Sequence, residues 1–214
     1  MSKTSVHTVY KTADGKRVPS VTTILNVLNK PALMHWAWQM GCEGKDYKKE
    51  RDAKADIGTG IHDMILCHHR NASPILSDYT KEQVDQIENG FLKYLAWEKE
   101  HPIDEVITVE KPMVSEIFKF AGTADLIAKS NGSVILVDYK SGKAIYPEMA
   151  YQLAAYIKLA EGLGHKIDNA RILRVGRDES EGFEEKVYTN LDNQWKLFMN
   201  CLNIYNLQKK MKNG

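Results

Sequence analysis

Apolar side chains recur at steps of three and four where Val84, Ile87, Phe91 and Leu95 mark one face of "YTKEQVDQIENGFLKYLAWEKEH". That period is helical, and Thr80 with Gln83 three residues on makes a capping-box pattern at its start. "SVTTILNVLNKPALMHWAWQMG" reads as two helices divided near Pro31, because the residue before proline disfavours the helical region, with Ser20 as cap of the first. In "KDYKKERDAKADIGTGIHDMILCHHR" charged and apolar positions mix. The small "GTG" at 58–60 is expected to open a helix carrying His62, Ile65 and Leu66, behind a mobile, exposed first half.

The period then changes to that of strands. After a short hairpin near the start, at "YKTADGKRVPS", the next strand-like runs are "DEVITVE", "EIFKFAGTADLIAKS" and "GSVILVDYK". Asn131-Gly132 is a two-residue hairpin signal, and the three runs are expected to form an antiparallel meander. "PEMAYQLAAYIKLAEGLG" follows as a helix with Pro147 at its start and Gly162 or Gly164 past its end. Two more strands, "ARILRVGR" and "FEEKVYTNL", lead to a last helix, "DNQWKLFMNCLNIYNLQKK", with "QKKMKNG" expected to fray. This order predicts α/β or α+β layers around a mixed sheet. No repeat or Pro/Gly/Ser-rich linker divides the 214 residues, so one domain is expected. A helical elaboration (about 20–100, carrying His62) precedes the core sheet and helix (about 104–190), and a terminal helix follows (about 191–211).

Composition narrows the classes. With 43% hydrophobic and 27% charged residues the chain is neither disordered nor fibrous. A net charge of +1, from 29 Lys plus Arg against 28 Asp plus Glu, excludes a protein that coats nucleic acid by bulk charge, so any polyanion needs a local groove. Cys42, Cys67 and Cys201 are scattered without a CxxC pair, which argues against a disulfide framework and suits a reducing cytoplasm. Neither an export signal in "MSKTSVHTVYKTADGKRVPS" nor an apolar run of about 20 residues is present, so no membrane insertion is expected.

The charges that matter sit at the end of the most apolar strand. With Asn131 and Gly132 as turn residues, Ser130 pairs with Ser133 and the register continues until Asp125 faces Asp138. Opposed side chains lie about 4.5–5.5 Å apart, and like charges there repel by roughly 3 kcal/mol at an effective dielectric near 20. Lys140 shares a strand face with Asp138, while Tyr139 points to the other. A hard divalent cation such as Mg2+ resolves two acids and an ammonium on one patch, since it takes one or two carboxylates together with phosphate oxygens.

With these residues in place, the chain resembles the PD-(D/E)xK nuclease superfamily in its RecB-like branch. Four pieces match in order: "GTGIH" with His62, "GTADLI" with Asp125, "VDYKSGK" with Asp138 and Lys140, and "YQLAAY" with Gln152 and Tyr156. The likeness spans roughly 17–175, and "PSVTTILNVLNKPALMHWA" also looks like phage-encoded exonucleases and the mitochondrial genome maintenance exonuclease. Asp138 stands where many members carry Glu, which shortens the ligand arm without changing its charge.

The resemblance implies a restriction-endonuclease-like core and a Mg2+- or Mn2+-dependent deoxyribonuclease using one or two ions. Asp125 and Asp138 would be ligands, with the Tyr139 carbonyl, Glu110 as an extra acid and His62, whose imidazole prefers Mn2+ to Mg2+. Lys140 would position or deprotonate the attacking water, better if burial lowers its pKa, and offset charge at the transition state. Gln152 and Tyr156, four apart on one helix face, would support the site. Iron–sulfur relatives need four cysteines, which three cannot supply. His68 and His69 beside Cys67 suggest zinc, but no second ligand pair at finger-like spacing appears, so no zinc is expected.

For DNA, residues 35–54 interleave Trp36, Trp38 and Tyr47 with Lys45, Lys48, Lys49 and Arg51, and Lys143 follows the D-x-K strand. Aromatics and cations together suit single-stranded nucleic acid. A core role for the tryptophans stays open, since Asp46, Glu50 and Asp52 cancel much of the positive run. The expectation is an exonuclease acting on DNA with single-stranded ends. Phage or mobile-element origin fits the small size, with the cytoplasm of a bacterial host as its place and replication, repair or recombination proteins as partners. A non-catalytic DNA-binding or recombination-accessory protein, or a structure-specific endonuclease, is the alternative.

Overall fold

The computed structural model describes residues 8–213; the first seven residues of the segment read for an export signal lie outside them. Ser20 caps α1 (Val21–Leu25), its hydroxyl accepting the Thr23 N–H, and Pro31 opens α2 (Pro31–Cys42). Asp46 caps α3 (Tyr47–His69). Both halves of the Thr80–Gln83 capping box are formed at the start of α4 (Lys81–Glu100).

The "GTG" does not open a helix. α3 runs through it unbroken, because its glycines serve close approach instead. A Cβ at Gly58 would lie 2.3 Å from Ser141 Oγ, one at Gly60 2.3 Å from Ile87 Cδ1, and one at Gly90, on α4, 2.5 Å from Ile61 Cδ1. The two helices thus trade a glycine for an isoleucine in each direction. The face α4 buries is consequently Ile87, Gly90, Tyr94 and Trp97, with Val84, Phe91 and Leu95 only half-buried beside it.

Five strands form the main sheet in the order β1 (Glu105–Val109), β4 (Leu126–Ser130), β5 (Ser133–Lys140), β6 (Asn169–Val175), β7 (Phe183–Tyr188). β5 and β6 are parallel and the other neighbours antiparallel. The parallel pair needs a crossover, which α5 (Pro147–Gly162) supplies. Asn131 and Gly132 take φ of 50° and 76°, the left-handed pair that a tight hairpin demands, and the ladder runs in the expected register from Ser130↔Ser133.

The meander expectation needs one correction. Residues 116–130 are not one strand: β2 (Pro112–Ser115) and β3 (Phe120–Thr123) pair with each other as a separate two-stranded sheet. Burying Met113 and Phe120 with α1, α5 and α6 (Asp192–Asn213) pulls this hairpin out of the main sheet. α6 continues through "QKKMKN", so that stretch is helical rather than frayed.

Period-two alternation divides the core. Ile127, Leu136 and Ile172 face α1, α5 and α6, whereas Ile135, Val137, Tyr139 and Leu173 face α3 and α4. Helices on both sides of a mixed sheet make an α/β architecture of the restriction-endonuclease-like kind, with the ends of β1, β4 and β5 left to carry polar groups. Among the described residues, no helix is long and apolar enough to cross a membrane.

Candidate active site

β4 leaves its partner one residue earlier than the simple register predicts. The ladder stops at Leu126↔Val137, so Asp125 stands beyond the last pair rather than facing Asp138 within it. Its side chain replaces the missing strand neighbour. Oδ2 accepts the Tyr139 N–H at 2.7 Å, and the Asp125 carbonyl accepts the Glu110 N–H at 3.0 Å.

Glu110 follows β1 directly with φ of 46°, a left-handed conformation that strains a non-glycine residue by about 1–3 kcal/mol. That kink belongs to a site: His62, Glu110 and Asp125 each offer a ligand atom within 4.8 Å of the other two. His62 Nδ1 lies 3.7 Å from Asp125 Oδ1, and the imidazole rests edge-on against the Tyr139 ring at 5.8 Å. Burial, reinforced by the Asp125 charge, holds the Glu110 carboxyl above its usual range.

Asp138 lies near this trio, within reach of the Asp125 and His62 charges, its side chain on the face of β5 opposite Tyr139. Only 1% exposed, it forms an ion pair through Oδ2 with the Lys140 ammonium. Gln152 Nε2 comes to 3.4 Å from Asp138 Oδ1 and donates to Tyr156 Oη at 2.8 Å, so one face of α5 closes over the pair as the four-residue spacing predicts. Burial pushes the Asp138 carboxyl up to about 6, against the pull of Lys140. For Lys140, burial favours the neutral amine, but the Asp138 and Asp125 charges outweigh it and hold the group above its ordinary value. The condition that would favour Lys140 as a base, a pKa lowered by burial, is therefore not met in this arrangement. Lys140 stands as a fixed cation, fitted to orient a water or offset negative charge.

Beyond Lys140 the chain enters a cavity of about 840 Å³ through Ser141, Gly142 and Lys143. Trp36 and Arg51 line it as well, so three of the seven expected DNA contacts converge there. Trp38, 65% exposed, lies outside its lining, as do Lys45, which pairs with Glu43 at 2.8 Å, and Lys48 and Lys49 on the exposed first turn of α3. Lys54, Tyr146 and Arg177 line it without having been anticipated. Lys54 was legible, since it sits one turn beyond Arg51 on α3 and reaches over the Trp36 ring at 5.4 Å. Arg177 arrives from the loop after β6, held by Glu181 Oε2 at 2.9 Å, and no local signal marks it.

Carboxylates with one imidazole at a strained strand end fit a hard divalent cation, and the imidazole widens the choice to Mn2+. Such a centre beside a fixed ammonium and a cationic cavity is suited to phosphoryl chemistry.

Comparison with known proteins supplies a family. A profile of the PD-(D/E)XK nuclease superfamily matches residues 32–203, a span that contains His62, Glu110, Asp125, Asp138, Lys140, Gln152 and Tyr156. No curated protein matches the sequence. Among solved structures, the chain is similar to an alkaline exonuclease from Laribacter hongkongensis, with 9% identity and a TM-score of 0.40 over 92% of this chain and 95% of that one. The same exonuclease in complex with dAMP is 12% identical, with a TM-score of 0.35 over 76% and 92%.

Proposed function

Because the chain belongs to the PD-(D/E)XK nuclease superfamily, we propose that it hydrolyses phosphodiester bonds of DNA, working as an exonuclease on single-stranded ends. The observation that carries this reading is the placing of a buried Asp138, ion-paired to a half-buried Lys140, beside the His62–Glu110–Asp125 group. A protein that only bound DNA gains nothing from gathering carboxylates where phosphates must approach.

Asp125, Asp138, Glu110 and His62 would hold Mg2+ or Mn2+, with the Tyr139 carbonyl added on the family resemblance. The bound ion supplies positive charge at the scissile phosphate and makes a water more acidic. Lys140 orients the attacking water and offsets the charge that grows on the phosphoryl oxygens. Gln152, tied to Tyr156, keeps the Asp138–Lys140 pair in place. Attack at phosphorus breaks the bond to the 3′-oxygen and leaves a 5′-phosphate.

The strand would approach along the 840 Å³ cavity, with Trp36 as a stacking platform and Arg51, Lys54, Lys143 and Arg177 along the backbone. Trp38, Lys45, Lys48 and Lys49 would meet more distant nucleotides. A phage or mobile-element setting, with replication or recombination proteins as partners, belongs to the same proposal.

The test is digestion of 5′-labelled and 3′-labelled single-stranded and duplex DNA with Mg2+ or Mn2+, comparing the wild type with Lys140→Ala. The expected result is stepwise cleavage from single-stranded ends, lost in the variant. An inactive wild type that still retards DNA would overturn this reading in favour of a binding module.

A further inference from the structure

The last turn of α3 holds a second set of ligands that the nuclease reading does not use. His68 Nε2 lies 2.7 Å from Glu98 Oε2 on α4, and the Tyr94 hydroxyl bridges the other half of the arrangement, donating to Glu98 Oε1 at 3.0 Å and lying 2.7 Å from His69 Nε2. Each of His68, His69 and Glu98 offers a ligand atom within 4.8 Å of the other two. From these contacts we propose that His68, His69 and Glu98 form a Zn2+ site that clamps the end of α3 to α4.

Two imidazoles and one carboxylate are a zinc donor set, with the fourth position open to water, whereas Mg2+ and Ca2+ prefer oxygen alone. Tetrahedral bonds of about 2.0–2.1 Å place donor atoms about 3.3 Å apart. The donors stand between 2.7 and 4.8 Å from one another, so side-chain shifts of up to about 1.5 Å bring the three to that spacing. Tyr94, fully buried, orients both His69 and Glu98 through its hydroxyl, as outer partners do for ligating side chains. His68, whose side chain is 37% exposed, leaves a path from solvent.

The site is separate from the candidate active site. Its link is a run of edge-on ring contacts from His69 to Tyr94 at 5.7 Å, Tyr94 to Tyr139 at 5.4 Å, and Tyr139 to His62 at 5.8 Å. Zinc binding would stiffen the helix pair that presents His62. The sequence alone pairs His68 and His69 with no partner, because Glu98 lies thirty residues further along the chain.

The test titrates Zn2+ into chelator-stripped protein by calorimetry, using Asp125→Asn to weaken the other centre. One Zn2+ equivalent should survive in Asp125→Asn, raise its melting temperature, and weaken about tenfold or more when His68→Gln or Glu98→Gln is added. Unchanged stoichiometry and affinity in folded double variants would overturn the proposal. Should the double variants fail to fold, Co2+ added to Asp125→Asn decides: visible absorption of the tetrahedral ion supports the site, and its absence refutes it. Neither arm requires nuclease activity, so failure here and failure of the nuclease reading are distinguishable.

Discussion

Asp138 makes the stability of this protein depend on pH in a direction opposite to that of an ordinary salt-bridged carboxylate. The group is 1% exposed, and burial raises its pKa from 3.8 to about 6 despite the adjacent ammonium. Between those values the folded state holds a proton that the unfolded state has released. Stability therefore falls as pH rises through the window, is undiminished below about pH 4, and has lost its full share above about pH 6. A shift of about 2 pKa units corresponds to about 3 kcal/mol. The perturbation is Asp138→Asn, which keeps the shape and removes the titration.

Urea unfolding of both proteins from about pH 4 to about pH 7, in chelator, gives the comparison. All other titrating groups are shared and cancel in the difference. The variant should gain on the wild type by about 3 kcal/mol across the window, whatever its absolute stability. Parallel curves would mean that Asp138 ionises as freely in the folded chain as in the unfolded one, and the argument from burial would fail. Mg2+ or Mn2+ at neutral pH should restore stability to the wild type and much less to the variant, since a bound cation favours the ionised carboxylate.

Two further variants probe the frame around the site. Gly122→Ala would set a Cβ 2.6 Å from the Tyr156 ring and 3.1 Å from Val21 Cγ2, in packing too closed to yield, and should destabilise by about 1–3 kcal/mol, visible as a lowered melting temperature; an unchanged melting temperature would show that the Tyr156 ring is free to move. Lys93→Met removes an ammonium that donates to the carbonyls of Gly176 at 3.2 Å, Asp178 at 2.5 Å and Gly182 at 3.2 Å. It should cost about 1–3 kcal/mol and expose residues 176–182 to limited proteolysis, whereas an unaltered digestion pattern would contradict this anchoring role.

What could be read in advance follows how local each signal is. The Asn131-Gly132 turn, the Thr80–Gln83 box and the Pro31 and Pro147 starts act within four residues, and all are present in the fold. The hairpin register followed from the turn alone and placed the end of β4 within one residue. It missed only that Asp125 would use its side chain, rather than its backbone, to satisfy Tyr139. Errors began where distant packing decides. "GTG" looked like a helix start because glycine is a poor helix former, yet Ser141 and Ile87 require a bare backbone at Gly58 and Gly60. Residues 116–123 looked like part of the main sheet because strand patterning does not name a partner, and Phe120 found its partners with Met113 under α5 and α6.

The charge on Lys140 could be read only in part from its neighbours in sequence, and it bears most directly on chemistry. A buried lysine in isolation becomes a base, since desolvation favours the neutral amine. Here Asp138 is two residues away in the chain and Asp125 fifteen, and their combined field reverses the sign. The same two carboxylates that make the site attractive to a cation thus keep Lys140 charged until one arrives. Any cation that neutralises them weakens the field that holds the proton on Lys140. On the proposed reading, any capacity of Lys140 to act as a base would depend on occupancy of the neighbouring centre, and the D-x-K spacing is what places the ammonium within that field.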